Sequence, residues 1–542
     1  MEATSNYHQL SRRQLVWTIV GLQVTLLLAA LDQTIVSTAM PKIIGDLNGF
    51  ERYSWVTTAY LLTSTAILPV FGKLSDMHGR KWLLLISAVG FVLASALCGL
   101  AGELPVLGDG MTQLIIFRGL QGIFGGGIMS LVFTAIGDLF PPVDRGKYQG
   151  LFSAVWALAS VVGPLMGGWI TDSFNWRWVF YVNLPVGALA VGLLFYAFPQ
   201  MGTKRRKHKL DVAGLVAMLG WVIPLLLGLT WAPLSGPTLP VVMCFVVAAA
   251  MFIAFIFAEL KADEPMVPLW LFANPIINIS CVSLMLIGIG MFGVILFAPL
   301  YFQAVLGVSA TRSGSELVPM LLMSTVGSAL SGQLMSRLNK YKFLALSGTL
   351  VMAFGLFLMS RFDEHTPHLV AVISMVIFGG GLGLLMPIYT LIVQNAVERN
   401  MIGVATSGTQ FCRSIGGTLG AAIFSSILML QFRTYFYSHL PAGTPAAAAA
   451  LFHNPLSVQH SDVALTKALA GTMNVAIVQK QLLSEVQHAF ATSLDTIFFV
   501  GSALLFLCFF LNFFLKEVPL RKAPQAPPAA PADMEVVLPE VR

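Results

Sequence analysis

Asp32 stands in the run LLLAALDQTIVST, and Arg118 stands in the run TQLIIFRGLQGIF. Each is an ionisable side chain among apolar neighbours. In a membrane interior such a group costs roughly 2.5–3.5 kcal/mol even on the lenient insertion scale, so its retention marks a function by default. Each residue lies about six positions from the outer end of its apolar run, which at ~1.5 Å per residue is ~9 Å of depth. Equal depth permits a buried carboxylate–guanidinium partnership. Burial favours the neutral carboxyl and a nearby cation favours the charged one, so its proton is one that a conformational change or a bound cation can move. That is the property proton-coupled transport requires. Glu316 is the other acid inside an apolar run and is a second candidate for proton coupling; capping or snorkelling at the edge of its run is the plainer alternative. There is no Gly-rich loop followed by Lys-Ser/Thr, no paired His/Cys spacing and no nucleophile elbow. No cofactor and no enzymatic activity is therefore expected, and the energy source is a proton gradient rather than bound nucleotide.

The elements that must hold these residues are membrane spans. The chain has 542 residues, 56% of them apolar and 10% charged, against roughly 25% charged in an ordinary soluble domain. That excludes a water-soluble enzyme or a nucleic-acid binder. Windows of ~20 residues mark fourteen hydrophobic segments, near 15–38, 53–72, 82–101, 113–134, 148–170, 177–198, 211–231, 239–258, 276–304, 314–335, 343–360, 369–393, 404–430 and 494–515. The net charge is +6, and the densest cluster is Lys204-Arg205-Arg206-Lys207-His208-Lys209 after span 6. Lys and Arg collect on cytoplasmic loops, so both termini are expected in the cytoplasm, with the chain multi-pass in the cell membrane. All five cysteines fall in apolar stretches and read as small hydrophobes rather than a disulfide set. Asn278-Ile279-Ser280 matches a glycosylation pattern but lies in span 9, and Arg413 in span 13 reads as structural.

The chain also repeats itself. Ile123-Phe124-Gly125-Gly126-Gly127-Ile128 returns as Ile377-Phe378-Gly379-Gly380-Gly381-Leu382, Asp144-Arg145 as Glu398-Arg399, and Gly72-Lys73-Leu74 as Gly332-Gln333-Leu334. Nearly one offset relates all three, as a duplicated six-span bundle requires. The expected organisation is a cytoplasmic N-terminus (1–14), a first six-helix bundle (15–198), a linker with two accessory spans (199–275), and a second six-helix bundle (276–515). Within the second bundle, residues 431–493 are expected outside the membrane, with one or two amphipathic helices on its outer surface marked by Val463, Leu469, Met473, Ile477, Leu482, Val486 and Phe490. Residues 516–542, with six prolines, read as a disordered cytoplasmic tail.

Several local motifs resemble the major facilitator superfamily, and within it the fourteen-span drug:proton antiporters. Leu31-Asp32-Gln33-Thr34-Ile35-Val36-Ser37-Thr38-Ala39-Met40-Pro41 is similar to that family's span-1 signature, with Ser37 where Asn is usual and Met40 where Leu is usual. Gly72-Lys73-Leu74-Ser75-Asp76-Met77-His78-Gly79-Arg80-Lys81 resembles the loop 2–3 signature. Arg118-Gly119-Leu120-Gln121-Gly122-Ile123-Phe124-Gly125-Gly126 resembles the span-4 signature, and Gly150, Ala159, Gly163-Pro164 and Gly167-Gly168 the span-5 antiporter signature. Trp176-Arg177-Trp178-Val179-Phe180-Tyr181-Val182-Asn183-Leu184-Pro185 also fits the family.

The resemblance implies an all-α membrane protein of two six-helix bundles with two accessory helices, acting by alternating access. Asp32 and Arg118 would handle the proton. Asp76 with Arg80, Gly72 and Gly79 would form a cytoplasmic latch against the start of span 13. In span 5, the Gly163, Pro164, Gly167 and Gly168 face would let another helix approach closely, with the small face of span 10 (Ser324, Gly327, Ser328, Ser331) as its expected partner. Tyr60, Gln121, Phe292, Phe297 and Tyr301, with Trp55, are candidates for the substrate cavity, where aromatic faces suit flat cations. The expected function is proton-coupled export of small, amphipathic, cationic drugs by a monomer in the lipid bilayer. The alternatives are an exporter of a lipid or cell-envelope component, which the 431–493 segment keeps open, and a proton-coupled uptake symporter, which the span-5 signature disfavours.

Overall fold

The computed structural model describes residues 11–104, 108–139, 142–199, 211–262, 269–338, 341–397, 402–440 and 475–517, with isolated positions at 265, 444–445, 452, 455–456 and 469. Fourteen long helices run through these residues. They are α1 (Arg12–Asp46), α2 (Trp55–His78), α3 (Arg80–Gly99), α4 (Gly110–Leu139), α5 (Pro142–Ser173), α6 (Trp178–Ala197), α7 (Val212–Ser235), α8 (Leu239–Lys261), α9 (Pro275–Leu300), α10 (Ala310–Leu338), α11 (Lys342–Met359), α12 (His368–Ala396), α13 (Ile402–Ser438) and α14 (Val475–Asn512). Twelve helices among the described residues are long and apolar enough to cross a membrane. The other two, α2 and α5, have 24 and 32 residues and coincide with expected spans 2 and 5, but lie outside that set.

The packing order repeats. Helix α1 packs against α5 and α6, α2 against α4, and α3 against α4 and α6; eight helices on, α9 packs against α13 and α14, α10 against α12, and α11 against α12 and α14. The glycine runs that recur in the sequence make this possible. Gly122 and Gly126 press against the α2 backbone at Tyr60 and Ser64, and Gly379 and Gly383 press against the α10 backbone at Met320 and Ser324, with no room for a Cβ at any of the four. Small residues let helix backbones approach in an apolar phase, where dispersion and hydrogen bonding must replace the hydrophobic effect.

The small face of α10 is used differently from the expectation. Gly327 packs on Gly380 and Gly383, and Ser331 Oγ donates to the Leu384 carbonyl at 2.9 Å, so this face meets α12 rather than α5. On α5, Gly163 and Gly167 face Thr34, Ile35 and Thr38 of α1, while Thr34 Oγ1 donates to the Ala159 carbonyl at 2.9 Å. Helix α5 does meet α10, at its other edge and near its end: Gly168 lies on Ala310 and Thr311, and Gly314 lies on Pro164.

That contact belongs to a set that joins the halves at one end. Asp172, on the last turn of α5, accepts from the backbone N–H groups of Ala310 (3.2 Å) and Thr311 (2.7 Å) and so caps the start of α10 across the interface. Unpaired N–H groups and the positive dipole end of a helix favour such a carboxylate. Nearby, Tyr53 Oη donates to the Leu296 carbonyl at 2.9 Å, Gln303 Nε2 to the Thr38 carbonyl at 2.9 Å, and Arg433 pairs with Glu51. These hydrogen bonds and this ion pair tie the two halves together at one end.

The accessory hairpin α7–α8 docks on both halves. Ala217, Met218, Val222 and Leu226 pack with Leu62 and Ala66 of α2 and with Ile415 and Ala422 of α13, and Ser426 Oγ donates to the Leu229 carbonyl at 2.6 Å. The outer segment differs from its expected form. Its amphipathic periodicity is present, but from Val475 onward it is a continuous extension of the last span, one helix of 38 residues. Leu482, Val486 and Phe490 are buried there, and Phe490 meets Phe50 and Phe432 at ring distances of 5.7 and 4.7 Å. Those contacts hold the extension against α13. Val463 and Met473, and the tail from 518, lie outside the described residues.

Candidate functional site

Asp32 sits in α1 within the first bundle, and two further helices converge on it. From α4, Arg118 Nη1 donates to Asp32 Oδ2 at 2.6 Å, and Gln121 Nε2 donates to Oδ1 at 2.9 Å. Arg118 and Gln121 are three residues apart, which puts them on one helix face; Arg118 Nη1 also donates to Gln121 Oε1 at 2.7 Å. From the start of α6, Asn183 Nδ2 donates to Asp32 Oδ1 at 2.8 Å and lies 3.0 Å from Ser95 Oγ of α3. Ser95 in turn donates to the Phe180 carbonyl at 2.9 Å, and Cys98 Sγ, one turn along α3, lies 3.6 Å from Gln121 Oε1.

The site is dry. Asp32, Gln121 and Asn183 are 0% exposed and Arg118 is 2% exposed. The guanidinium has further contacts: Nε donates to the Val56 carbonyl at 3.3 Å, and the Tyr60 ring centroid lies 4.4 Å from it. A buried charge persists only when paired and hydrogen-bonded. Here a neutral pair is wrapped by two amides and an aromatic face, so any change in the protonation of Asp32 leaves a guanidinium without its counter-ion in a low-dielectric interior.

The structure thus brings together Asp32, Arg118, Gln121 and Tyr60 of the expected residues, and it adds Asn183, Ser95 and Cys98. Asn183 stands in the motif Tyr181-Val182-Asn183-Leu184-Pro185. An amide opening an apolar span is a detectable signal, and its depth matches Asp32 only once α6 is seen to pack on α1 and α3.

The remaining candidates lie elsewhere. Glu316 is on the first turns of α10 at the closed end, 3.7 Å from Arg312 Nε and 3.7 Å from His368 Nδ1, and does not join Asp32. Phe297 is fully buried and stacks on Tyr53 at 5.6 Å, while Tyr301 Oη donates to the Asp363 carbonyl at 2.9 Å. Both are spent on closing the interface and the second bundle rather than on lining a cavity. Phe292, 9% exposed, packs on Gly417 of α13. At the α2–α3 joint Gly79 adopts φ 89°, a left-handed value that favours glycine, and Arg80 Nη1 donates to the Thr134 carbonyl of α4. Gly72 and Asp76 lie on the last turns of α2, while the side chain of Asp76 lies outside the described residues, as do the side chains of 401–404 and 406–407 that the latch would meet. Arg413 is half-buried within α13, its guanidinium 3.2 Å from Met386 Sδ.

The model of the Major Facilitator Superfamily matches residues 23–421. The chain is 39% identical over 524 residues to "Multidrug transporter protein MdtP" of Bacillus subtilis (strain 168), covering 94% of both chains. It is 34% identical over 499 residues to "Multidrug resistance protein 3" of the same organism, covering 90% of this chain and 95% of that one. Among solved structures, a bacterial homologue of the human lysosomal transporter Spinster, inward-facing and occupied, superposes with a TM-score of 0.65 at 14% identity over 95% of this chain and 100% of the other.

Proposed function

The chain belongs to the Major Facilitator Superfamily, and from that membership we propose that it is a fourteen-span antiporter exporting amphipathic drugs across the cell membrane in exchange for protons. The names of its relatives support drug efflux. The observation that carries proton coupling is the buried Asp32–Arg118 pair with its two amide donors, built from three helices of one bundle. Protonating Asp32 removes the counter-ion of a guanidinium that water cannot reach, and removal of one partner from such a pair costs ~3–5 kcal/mol. The protonated carrier is therefore pushed out of this packing toward another. Alternating access then follows if the closed end, held by Asp172, Tyr53, Gln303 and Arg433, opens as the opposite end shuts. With both termini cytoplasmic, the closed end faces outward and the conformation is the one that loads cargo from inside.

The experiment uses the reconstituted protein in vesicles with an imposed pH gradient and a panel of amphipathic fluorescent dyes. Gradient-driven dye movement that disappears in Asp32→Asn, with the variant still folded and inserted, is the expected outcome. Movement that ignores the gradient, or survives in Asp32→Asn, contradicts the reading.

A further inference from the structure

Arg413 is about 17 Å into α13 from Ile402, counted at ~1.5 Å per residue. No acidic side chain among the described residues pairs with it; its one recorded side-chain contact is the Met386 thioether on α12, at 3.2 Å. A thioether is a weak acceptor and a guanidinium offers five donors. An unpaired arginine at this depth is costly unless it faces water or awaits a partner. Its side chain is half-buried rather than sealed, and polar groups flank it: exposed Gln410 one turn away on α13, and half-buried Thr390 one turn from Met386 on α12.

The other charges in the membrane-spanning helices sharpen the contrast. Asp32 and Arg118 neutralise each other, and Glu316 is engaged by Arg312 and His368 at the closed end. Asp495 is on α14, which packs on α9, α11 and α13 of its own half. The uncompensated charge between α12 and α13 is positive. No acidic side chain among the described residues near Arg413 is shown to hold a cation by charge, while a fork of guanidinium donors suits a carboxylate or phenolate, with charge-assisted hydrogen bonds roughly twice the strength of neutral ones.

We propose that Arg413 anchors an anionic group on the cargo, making amphipathic anions, carboxylates or phenolates carrying an apolar body, the preferred substrate class. The assignment rests on the export reading for its meaning in the cell, but binding tests it independently. Carboxyfluorescein serves as the anionic probe and rhodamine 6G as the cationic one, each titrated by fluorescence anisotropy into the purified full chain in detergent. The wild type binds carboxyfluorescein more tightly than rhodamine 6G. Arg413→Gln weakens carboxyfluorescein roughly tenfold or more, while Arg413→Lys, which keeps the charge and loses the fork, falls between. Met386→Glu is the second variant: it places a carboxylate beside Arg413 and blocks the anionic probe without removing the arginine. Unchanged carboxyfluorescein affinity in Arg413→Gln and Met386→Glu, tighter binding of rhodamine 6G by the wild type, or no binding of carboxyfluorescein overturns the assignment. Transport separates the two readings. If the anionic dye binds through Arg413 and neither dye is moved, export fails and the anchor stands; if rhodamine 6G alone is bound and moved, the anchor fails and export stands.

Discussion

Asp32 and Arg118 are the residues whose environment differs most from what their side chains prefer in water. Their pairing was legible from depth alone, because two ionisable groups at one level in apolar runs leave few other partners. The rest of the site was not legible: Gln121 and Asn183 are amides, which sequence treats as ordinary polar residues, and only the convergence of α4 and α6 on α1 puts both within 3 Å of Asp32. Asp32→Ala should lower thermal stability in detergent more than Asp32→Asn, because both remove the counter-ion of Arg118 but only asparagine still accepts its hydrogen bond. Equal melting temperatures for the two variants would count against the pairing. Asn183→Leu removes a donor to the carboxylate and should weaken proton-coupled transport severalfold with normal membrane insertion, read as dye flux per inserted molecule. A contrasting acid lies outside the spans. Hydrogen bonding to Arg52 holds the Asp109 carboxyl down at about 2. Its depressed value means that its contribution is present above the ordinary carboxylate range of roughly 4 and is lost as pH falls through about 2. Arg52→Ala should therefore leave the pH profile of transport above pH 5 unchanged, and a shifted profile would show that Asp109 takes part.

Among the elements, α5 and α10 carry the most specific contact between the halves. The sequence marked α5 by its glycines and α10 by its small residues, yet it could not say which face met which helix, since glycine and serine at helical spacing suit any close neighbour. Gly163 and Gly167 turn to α1, Ser331 and Gly327 turn to α12, and Gly168 and Gly314 take part in the α5–α10 contact, Gly314 against Pro164. Asp172 completes it by capping α10 from the opposite half. Two outcomes are expected from this geometry, read as spin-label distances between positions 174 and 315 on a cysteine-depleted background. Asp172→Asn removes the charge from a helix N-terminus, an interaction of ~0.3–1 kcal/mol, and should shift the distribution modestly toward longer values. Gly168→Leu drives a side chain into the Ala310–Thr311 backbone and should open this end outright. Wild-type distances in Gly168→Leu would mean that the contact does not hold the two halves together.

At the scale of the whole molecule, the repeat in the sequence became a repeat in packing: α1 to α6 and α9 to α14 use the same neighbours in the same order. That much was written in the matched glycine and charged motifs. The position of the accessory hairpin was not, because α7 and α8 are apolar on nearly every side; in the fold α7 rests on α2 of one half and α13 of the other. The outer extension was half legible, its periodicity giving a helix and its length concealing that the helix is the last span continued. In this account two bundles rock about their shared interface while one buried pair, in the first bundle, senses the proton. The measurement closest to that claim is the proton flux that accompanies cargo movement, recorded with a pH dye sealed inside vesicles carrying the reconstituted protein. Adding a transported dye down its own gradient should drive protons in the opposite direction in the wild type and move none in Asp32→Asn. Proton movement that persists in Asp32→Asn, or dye movement in the wild type with no proton movement, would contradict it.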